Sequence, residues 1–272
     1  MKCLVVGASV SSGYGLDGFR NDQQLFATKF LNYVDGVNPQ MIDNVGDPGD
    51  DNLKIYRSAL TRLMQNDYHS LLVVWQNIPF TNIHFGLELH NTRCGLISSV
   101  VPVNDINMVS KQSIPRSVLV NMQKHLLAYY NYHWDIINLL FYCNSLIYVG
   151  KSTNTQIRFV HYSLPWRTNR YFEQHEWQKP SELDPFTQEI LQCDERDDEE
   201  SKQLYKQIHK EYNNIGGMQS AYWLNLYNPL CDKKIDTGAD GLHPGYKSQK
   251  IFTEFLIQCY LESLTKSTDS VY

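Results

Sequence analysis

Short runs of apolar residues that stop at turn formers constrain this chain more than any other feature of its sequence. Leu71 to Trp75 is an unbroken apolar run, and Leu4 to Val6 is another that ends at Gly7. Runs of this length, rich in Val and Leu, are typical of strands that are buried on both faces. Further strands are predicted at Pro39 to Val45 and at Ile157 to Tyr162.

Amphipathic segments separate the predicted strands. Apolar residues recur at helical spacing from about Asn21 to Val34 and from Leu53 to Met64. Further helical regions are predicted from about Arg116 to Tyr148 and from Tyr246 to Leu264. Strands that alternate with helices indicate a parallel sheet covered on both faces. We therefore predict an α/β fold, a three-layer α/β/α sandwich around a mostly parallel sheet.

Two stretches interrupt this alternation. Residues 78–115 and 163–218 mix turn formers with short apolar runs, and we interpret both as insertions into a single domain that spans residues 1–272. The second insertion contains Trp166 and Trp177, together with an acidic run from Asp194 to Glu200 that is interpreted as a solvated helix start or loop.

Composition excludes several classes of protein. A net charge of −5 argues against a dedicated nucleic-acid binder, because such proteins carry a basic face. No apolar stretch approaches the roughly 20 residues of a membrane span, and the N-terminal apolar run is too short for a signal peptide, so a cytoplasmic location is expected. The 6 Cys and 9 His residues show no metal-binding spacing. The Tyr- and Asn-rich, Arg-poor composition is typical of AT-rich genomes, viral ones among them.

The first segment that contains a candidate catalytic residue includes a serine. Ser9 lies between Gly7 and Gly13, directly after the first predicted strand, where an α/β sheet places its active site. A tight turn there would expose the hydroxyl and direct the Ser9 N–H into the crevice. Serine in such a turn is also a common turn residue or helix cap. Ser9 is therefore a candidate nucleophile only in combination with other groups.

The second segment precedes the final helix and contains Asp240 and His243. A serine hydroxyl becomes a good nucleophile when a base removes its proton, and histidine has a suitable pKa for this role. The aspartate would fix the histidine tautomer and stabilise the imidazolium. The alternative is a surface turn capped by Asp240, with Pro244 as the first residue of the helix.

A third group of residues could form an oxyanion hole. Gly49 follows the second predicted strand and offers a backbone N–H, and Asn77 follows the third and offers a side-chain amide. With the N–H of Ser9 they would provide three donors, each contributing about 3–4 kcal/mol to the stability of the transition state. Taken singly, Gly49 also fits a helix-initiating turn and Asn77 a loop cap.

In their order along the chain, these segments resemble the sequence blocks of the SGNH (GDSL-like) hydrolases. The serine block of that family reads Gly-Asp-Ser-x-x-x-Gly, matched by Gly7, Ser9 and Gly13. Its glycine block reads Asn-x-Gly-x-x-Gly-Asp, matched by Asn44, Gly46, Gly49 and Asp50. Its final block reads Asp-x-x-His-Pro, matched by Asp240, His243 and Pro244. The resemblance covers the core strands and the last helix, but neither insertion.

Two positions depart from the family pattern. Ala8 replaces the aspartate that precedes the nucleophile and helps to hold the turn. The family's Gly-x-Asn-Asp block is replaced by Trp75-Gln76-Asn77-Ile78, so that a bulky residue stands beside the predicted hole and the aspartate is missing. Gln76 is an alternative to Asn77 as the side-chain donor.

The resemblance implies a flavodoxin-like serine esterase that works without a metal or a cofactor. In this scheme Ser9 is the nucleophile, His243 the base and Asp240 its orienting partner, while Ser9, Gly49 and Asn77 bind the oxyanion. The product of the first step would be an acyl-serine intermediate that water then hydrolyses.

Family members act on acetyl and other short acyl esters of carbohydrates, on lipids and on thioesters. The aromatic residues Trp75, Trp166 and Trp177 favour a carbohydrate ester here, because sugar rings stack on aromatic faces. The same side chains could equally form small cores of their own. The expected partner is a small-molecule or carbohydrate ester, and the sequence does not predict an oligomeric state.

Two other functions fit parts of the sequence. Gly13 to Gly18 spells G-x-G-x-x-G, the pattern of a dinucleotide-binding turn, but it begins seven residues beyond Val6 instead of issuing directly from the strand. The second alternative is a non-catalytic module that keeps the esterase fold and recognises a carbohydrate or protein partner through its insertions. Ala8 and Trp75 favour this alternative, whereas the complete set of Ser9, Asp240 and His243 argues against it.

Overall fold

A computed structural model describes residues 1–76, 82–83, 94–95, 132–162, 222–225 and 229–268, with a few further positions between 199 and 210. The strands are β1 (Cys3–Val6), β2 (Ile42–Asn44), β3 (Ser70–Trp75), β4 (Asn82–Ile83), β5 (Cys94–Gly95) and β6 (Gln156–His161). The helices are α1 (Ser9–Ser12), α2 (Phe26–Asp35), α3 (Asn52–Gln65), α4 (Tyr132–Thr153) and α5 (Tyr246–Thr268).

Four of these strands form a parallel sheet in the order β2-β1-β3-β6. β1 is central, with Val5 opposite Asn44 of β2 and opposite Leu72 of β3, and the carboxyl end of β3 pairs Trp75 with His161 of β6. This is the strand order of flavodoxin-like sheets, in which ligands bind at the carboxyl ends of the strands. β4 and β5 form a separate antiparallel pair.

Successive strand residues point to opposite faces, and each face has its own helical layer. Leu4 and Val6 of β1 belong to one core, which contains buried residues of α3 and α4. Cys3 and Val5 belong to the other core, which contains buried residues of α2 and α5. β1 is therefore apolar throughout, because both of its faces are covered. The predicted three-layer α/β/α sandwich is confirmed.

Two predicted boundaries differ from the structure for local reasons. The helix predicted from about Asn21 begins at Phe26, because a 3-10 turn ends at Asn21 and the Asp22 carboxylate accepts a hydrogen bond from the Gln24 N–H at 2.7 Å. The strand predicted from Pro39 is shorter, since that proline begins a 3-10 turn.

Most of both predicted insertions lies outside the described residues. Within 78–115 the structure describes the β4–β5 pair, and within 163–218 it describes only scattered positions. The helical region predicted from Arg116 to Tyr148 is described from Tyr132 onwards, where α4 continues to Thr153. Among the described helices, none is both long enough and apolar enough to cross a lipid bilayer.

Candidate active site

The candidate residues follow the carboxyl ends of neighbouring parallel strands. Ser9 follows β1, Gly49 follows β2, and Gln76 follows β3 directly. Because β1 pairs with both β2 and β3 in parallel, these three segments lie along one edge of the sheet. The edge is where a flavodoxin-like sheet binds its ligands.

Ser9 is the first residue of the single-turn helix α1 and is half-buried. An α-helix leaves its first N–H groups without acceptors inside the helix, so the Ser9 N–H lies at the open end of this turn. The turn closes with Gly13 in the left-handed conformation at φ 72°. Ser9 therefore combines a hydroxyl and a helix-terminal N–H at the edge of the sheet.

The turn is held without the aspartate that Ala8 replaces. Ala8 is 2% exposed and belongs to the core beneath α3 and α4, where a carboxylate would be desolvated. The Ser11 hydroxyl donates to the Ala8 carbonyl at 2.9 Å, and the Ser12 hydroxyl donates to the Ser9 carbonyl at 3.0 Å. Two serines thus stabilise the turn from within.

Ser11 also explains why two glycines are needed nearby. A Cβ at Gly7 would lie 2.4 Å from the Ser11 Oγ, and a Cβ at Gly46 would lie 2.7 Å from the same oxygen. Ser11 therefore occupies the space between the loops that follow β1 and β2. Both glycines are required by close packing against this hydroxyl.

The Asn44 side chain joins the same two loops. Its Nδ2 donates to the Ser11 carbonyl at 2.8 Å, and its Oδ1 accepts from the Gly46 N–H at 3.1 Å. The Asp47 N–H donates to the Gly7 carbonyl at 3.1 Å. The position of the second loop relative to the nucleophile turn is therefore set by direct hydrogen bonds.

Gly49 occupies a tight turn that this second loop makes. The Asp50 N–H donates to the Asp47 carbonyl at 3.1 Å, and Gly49 has φ 79°, as a glycine at the third position of such a turn requires. Arg20 holds the loop from outside, since its Nε donates to the Gly46 carbonyl at 2.7 Å and its Nη2 contacts the Asp47 carboxylate at 3.0 Å. Sequence reasoning missed this role of Arg20, because no local pattern marks it.

The first described stretch of the chain ends at Gln76, so Asn77 lies outside the described residues. The backbone of Gln76 is fixed by the Asn52 side chain, which accepts from its N–H at 2.9 Å and donates to its carbonyl at 3.1 Å. The Gln76 side chain is 9% exposed, and its Nε2 has no hydrogen-bond partner among the described residues. A buried amide group that has no partner among the described residues fits the role of oxyanion donor, for which Gln76 is the alternative to Asn77.

Asp240 and His243 are in direct contact on the loop before α5. The His243 Nδ1 lies 2.5 Å from the Asp240 Oδ2, and the Asp240 Oδ1 accepts from the N–H groups of Leu242 and His243, each at 3.0 Å. Burial alone would raise the pKa of Asp240, but these hydrogen bonds and the imidazole lower it to about 2. An ionised carboxylate on Nδ1 leaves Nε2 as the nitrogen that can accept a proton.

A second aspartate, Asp236, closes the base of this loop. Its carboxylate accepts from the N–H groups of Lys247 and Ser248 at 3.0 and 2.7 Å, which caps α5, and its carbonyl accepts from the Gly245 N–H at 3.1 Å. Burial acts to raise the pKa of Asp236, but the hydrogen bonds from Ser248 and Lys247 lower it below its usual value. Sequence reasoning missed Asp236, because it lies well before Tyr246, the first residue of α5, and not at the N-cap position where a capping residue is recognisable.

The loop with Asp240 and His243 lies against the segment that follows Ser9. The Tyr14 N–H donates to the Ser9 carbonyl at 3.0 Å, and the Ala239 N–H donates to the Gly15 carbonyl at 2.9 Å. The Tyr14 ring contacts the His243 ring edge to face, with centroids 5.1 Å apart. In the described part of the chain the His243 ring makes its hydrogen bond with Asp240 and not with Ser9.

The proposed aromatic contacts to substrate differ in their placement. Trp75 is fully buried and stacks on Tyr142 with ring centroids 6.5 Å apart, so its side chain belongs to the core and is not available to a substrate. This corrects the assignment of Trp75 as a substrate-binding residue. Trp166 and Trp177 lie outside the described residues.

A buried histidine stands at the end of β6. His161 is 0% exposed, and its ring stacks on Trp223 with centroids 4.4 Å apart. Burial lowers the pKa of His161 to about 3, so the ring is neutral at ordinary pH. Among the described residues, no group of three or more His, Cys, Asp or Glu side chains is placed to hold a metal ion.

The fold and the site together define a class: α/β proteins with a serine turn and an aspartate–histidine pair at the carboxyl edge of a parallel sheet. No family model and no curated protein matches the sequence. The chain is, however, similar over nearly its whole length to solved structures of esterases and lipases, at low sequence identity.

One of these structures is the psychrotrophic esterase EstA from Pseudoalteromonas sp., with 12% identity over 97% of this chain and 98% of that chain and a TM-score of 0.42. Another is a lipase/acylhydrolase from Enterococcus faecalis, with 12% identity over 95% and 94% and a TM-score of 0.38. An acetylxylan esterase from Geobacillus stearothermophilus gives 11% identity over 95% and 93% and a TM-score of 0.34. Because these identities and TM-scores are low, the fold class is assigned from the strand order of the sheet in this protein.

Proposed function

We propose that this chain is a serine esterase that hydrolyses short acyl esters through an acyl-serine intermediate. The observation that carries the proposal is the Asp240–His243 pair, hydrogen-bonded at 2.5 Å and held against the segment that follows Ser9. A carboxylate on Nδ1 is the arrangement that makes a histidine an effective base towards a serine hydroxyl.

In the proposed reaction the Ser9 Oγ attacks the ester carbonyl while the His243 Nε2 takes the hydroxyl proton. The tetrahedral oxyanion receives hydrogen bonds from the N–H groups of Ser9 and Gly49 and from the Asn77 side chain. The imidazolium, stabilised by Asp240, returns its proton to the leaving alcohol. Water activated by His243 then releases the acid and restores the free serine.

The substrates we propose are acetyl and other short acyl esters, including those of carbohydrates. An exposed aliphatic side chain precedes the base in sequence, since Leu242 is 73% exposed. This side chain beside His243 would suit a short acyl group. A panel of esters that differ in acyl length, with acetylated xylo-oligosaccharides among them, tests this choice through the order of their kcat/KM values.

A fluorophosphonate probe tests the nucleophile directly, because it labels only an activated serine. Labelling of the wild type should disappear in Ser9→Ala and persist in Ser152→Ala, a control on an exposed serine in the last turn of α4. Persistent labelling of Ser9→Ala would contradict the proposal. A folded wild type that takes up no label would favour the alternative of a non-catalytic binding module.

A further inference from the structure

The glycine pattern from Gly13 to Gly18 is not explained by the proposed reaction. Helix α1 separates this segment from β1, so its N–H groups do not issue directly from the strand as a phosphate-binding turn requires. The segment instead contacts the loop that carries Asp240 and His243. Its glycines therefore need an explanation in terms of that contact.

Gly15 lies directly against the Asp240 carboxylate. A Cβ at Gly15 would come within 2.9 Å of the Asp240 Cγ and Oδ1, and Gly15 has φ 86°, a backbone conformation that glycine adopts without strain. Its carbonyl accepts from the Ala239 N–H at 2.9 Å. Only a residue without a side chain allows both the hydrogen bond and the approach of the carboxylate.

Gly238 makes the reciprocal approach from the other loop. A Cβ at Gly238 would lie 2.5 Å from the Gly15 carbonyl oxygen, which is backbone and cannot turn away as a side chain could. The Gly238 N–H donates to the His243 carbonyl at 2.8 Å, so this residue also closes the loop that holds the base. Two glycines thus face each other across the junction of the two segments.

Tyr14 connects this junction to the nucleophile and to the base. Its N–H donates to the Ser9 carbonyl at 3.0 Å, and its ring lies across that of His243 at an interplanar angle of 76°. An edge-to-face contact restricts how the imidazole can rotate about its bond to the chain. Tyr14 is thus placed to orient the ring that moves the proton.

We propose that the Gly15–Gly238 contact is a positioning element that sets the distance from Ser9 to the Asp240–His243 pair, with Tyr14 orienting the imidazole. This inference rests on the proposed esterase function. It assigns to Tyr14, Gly15 and Gly238 no contact with the substrate. Their effect is exerted through the three catalytic residues.

The test compares Gly15→Ala and Gly238→Ala with Gly36→Ala. Gly36 also has a positive φ, 62°, but a Cβ there meets no atom within 4 Å, so this control adds a side chain at a positive φ without the steric conflict of Gly15→Ala. We expect the rate of fluorophosphonate labelling and kcat to fall by about 10–100-fold in the first two variants, because small displacements of reacting groups have effects of this size. KM should change little, and Gly36→Ala should keep the wild-type rates.

The two test variants should differ in a readout that does not depend on activity. The downfield proton resonance of the His243 Nδ1–H reports its hydrogen bond to Asp240. Gly15→Ala is expected to shift or abolish this resonance, since the new methyl group meets the carboxylate. Gly238→Ala is expected to keep it, since the pair stays intact while the two segments are pushed apart. Thermal unfolding of each variant establishes that rates are measured on folded protein.

Tyr14 provides a second, independent comparison. Tyr14→Phe keeps the aromatic ring and should retain wild-type kcat, whereas Tyr14→Leu loses the edge-to-face contact and should lower kcat by roughly 2–10-fold. This comparison keeps the inference testable if a glycine variant does not fold.

Each outcome separates the inference from the function on which it rests. A wild type that is not labelled removes the proposed function, and the inference with it. Wild-type labelling together with unchanged rates in Gly15→Ala and Gly238→Ala overturns the inference alone. Equal losses in Gly36→Ala and Gly15→Ala would also overturn it, because general strain would then explain both.

Discussion

The guanidinium of Arg158 forms a two-pronged ion pair with the carboxylate of Asp35, with nitrogen–oxygen distances of 2.9 and 2.8 Å. Both side chains are 3% exposed, and the Ser70 hydroxyl donates a third hydrogen bond to Asp35 at 2.7 Å. Ser70 is the first residue of β3, so this buried pair lies towards the amino ends of the strands, away from the candidate active site. It joins α2 to β6 through charge rather than apolar contact.

We expect Arg158→Met to lower the free energy of unfolding by about 3–5 kcal/mol, because Asp35 would remain buried without its counter-charge. Urea denaturation followed by circular dichroism measures this loss. The double variant Asp35→Leu/Arg158→Met should recover much of the stability, since no charge is then buried without its counter-charge. Labelling of Ser9 per folded molecule should stay at the wild-type level. A loss below about 1 kcal/mol in the single variant would show that Asp35 finds another way to be neutralised.

Asp240→Asn should reduce kcat by about three to four orders of magnitude. The asparagine cannot stabilise the imidazolium as an anion does, and its amide favours the wrong tautomer of His243. Steady-state hydrolysis of a short acyl ester provides the measurement. Asp67→Asn, which changes an exposed aspartate just before β3, is the matched control and should be neutral. Near-wild-type activity of Asp240→Asn would exclude Asp240 as the orienting group.

Gly46→Ala should destabilise the protein by about 1–3 kcal/mol, because its methyl group would overlap the Ser11 hydroxyl. Removing that hydroxyl makes room, since the next nearest atoms to the new Cβ, the Asn44 Oδ1 and the Gly7 carbonyl oxygen, lie at 3.2 Å. The double variant Gly46→Ala/Ser11→Ala should therefore be more stable than the sum of the single losses predicts. Chemical denaturation of all four proteins of the cycle measures this coupling. Strict additivity would mean that Ser11 is not what excludes a side chain at position 46.

The buried His161 should make folding sensitive to acid. Its pKa is about 3 in the native protein and about 6.5 when unfolded, so below pH 6.5 the unfolded state binds a proton that the native state does not. Stability is therefore lost as the pH falls from about 6.5 towards 3, at up to about 1.4 kcal/mol per pH unit.

His161→Phe keeps an aromatic ring against Trp223 but cannot be protonated. Between about pH 7 and pH 4.5 the wild type should lose roughly 2–3 kcal/mol more than this variant. Unfolding free energies from urea titrations at a series of pH values give the comparison. Parallel pH dependence of the two proteins would assign the acid sensitivity to other groups.

The elements that could be predicted from sequence are those whose environment is uniform along their length. β3 is predicted to within about a residue at each end, because a strand buried on both faces needs an apolar side chain at nearly every position. The bounds of β6 are predicted as closely, although Arg158 and His161 interrupt its apolar run. The bounds of α3 are also predicted to within about a residue, and its buried residues are Ile55, Ala59 and Leu63. The start of α2 was predicted too early, since the carboxylate of Asp22 stabilises a turn that apolar periodicity does not reveal.

Parts of the candidate site were within reach of sequence reasoning because they are local. Asp240 and His243 lie three residues apart on one loop, and their hydrogen bond follows from that spacing. The contacts of Tyr14 and Arg20 could not be predicted from sequence, because each contact joins segments that are distant along the chain and has no local pattern. Trp75 is predicted from sequence to contact substrate, but its side chain is buried in the core. An aromatic residue at a strand end has the same local sequence whether it faces a ligand or the core.

The hydrogen bond from the Ala239 N–H to the Gly15 carbonyl has a consequence for biosynthesis. The proposed base, His243, is translated after the proposed nucleophile, Ser9, so a growing polypeptide would carry the serine without its base until the later segment emerges. Ester cleavage would begin only after that segment had left the exit tunnel and docked against the residues that follow α1.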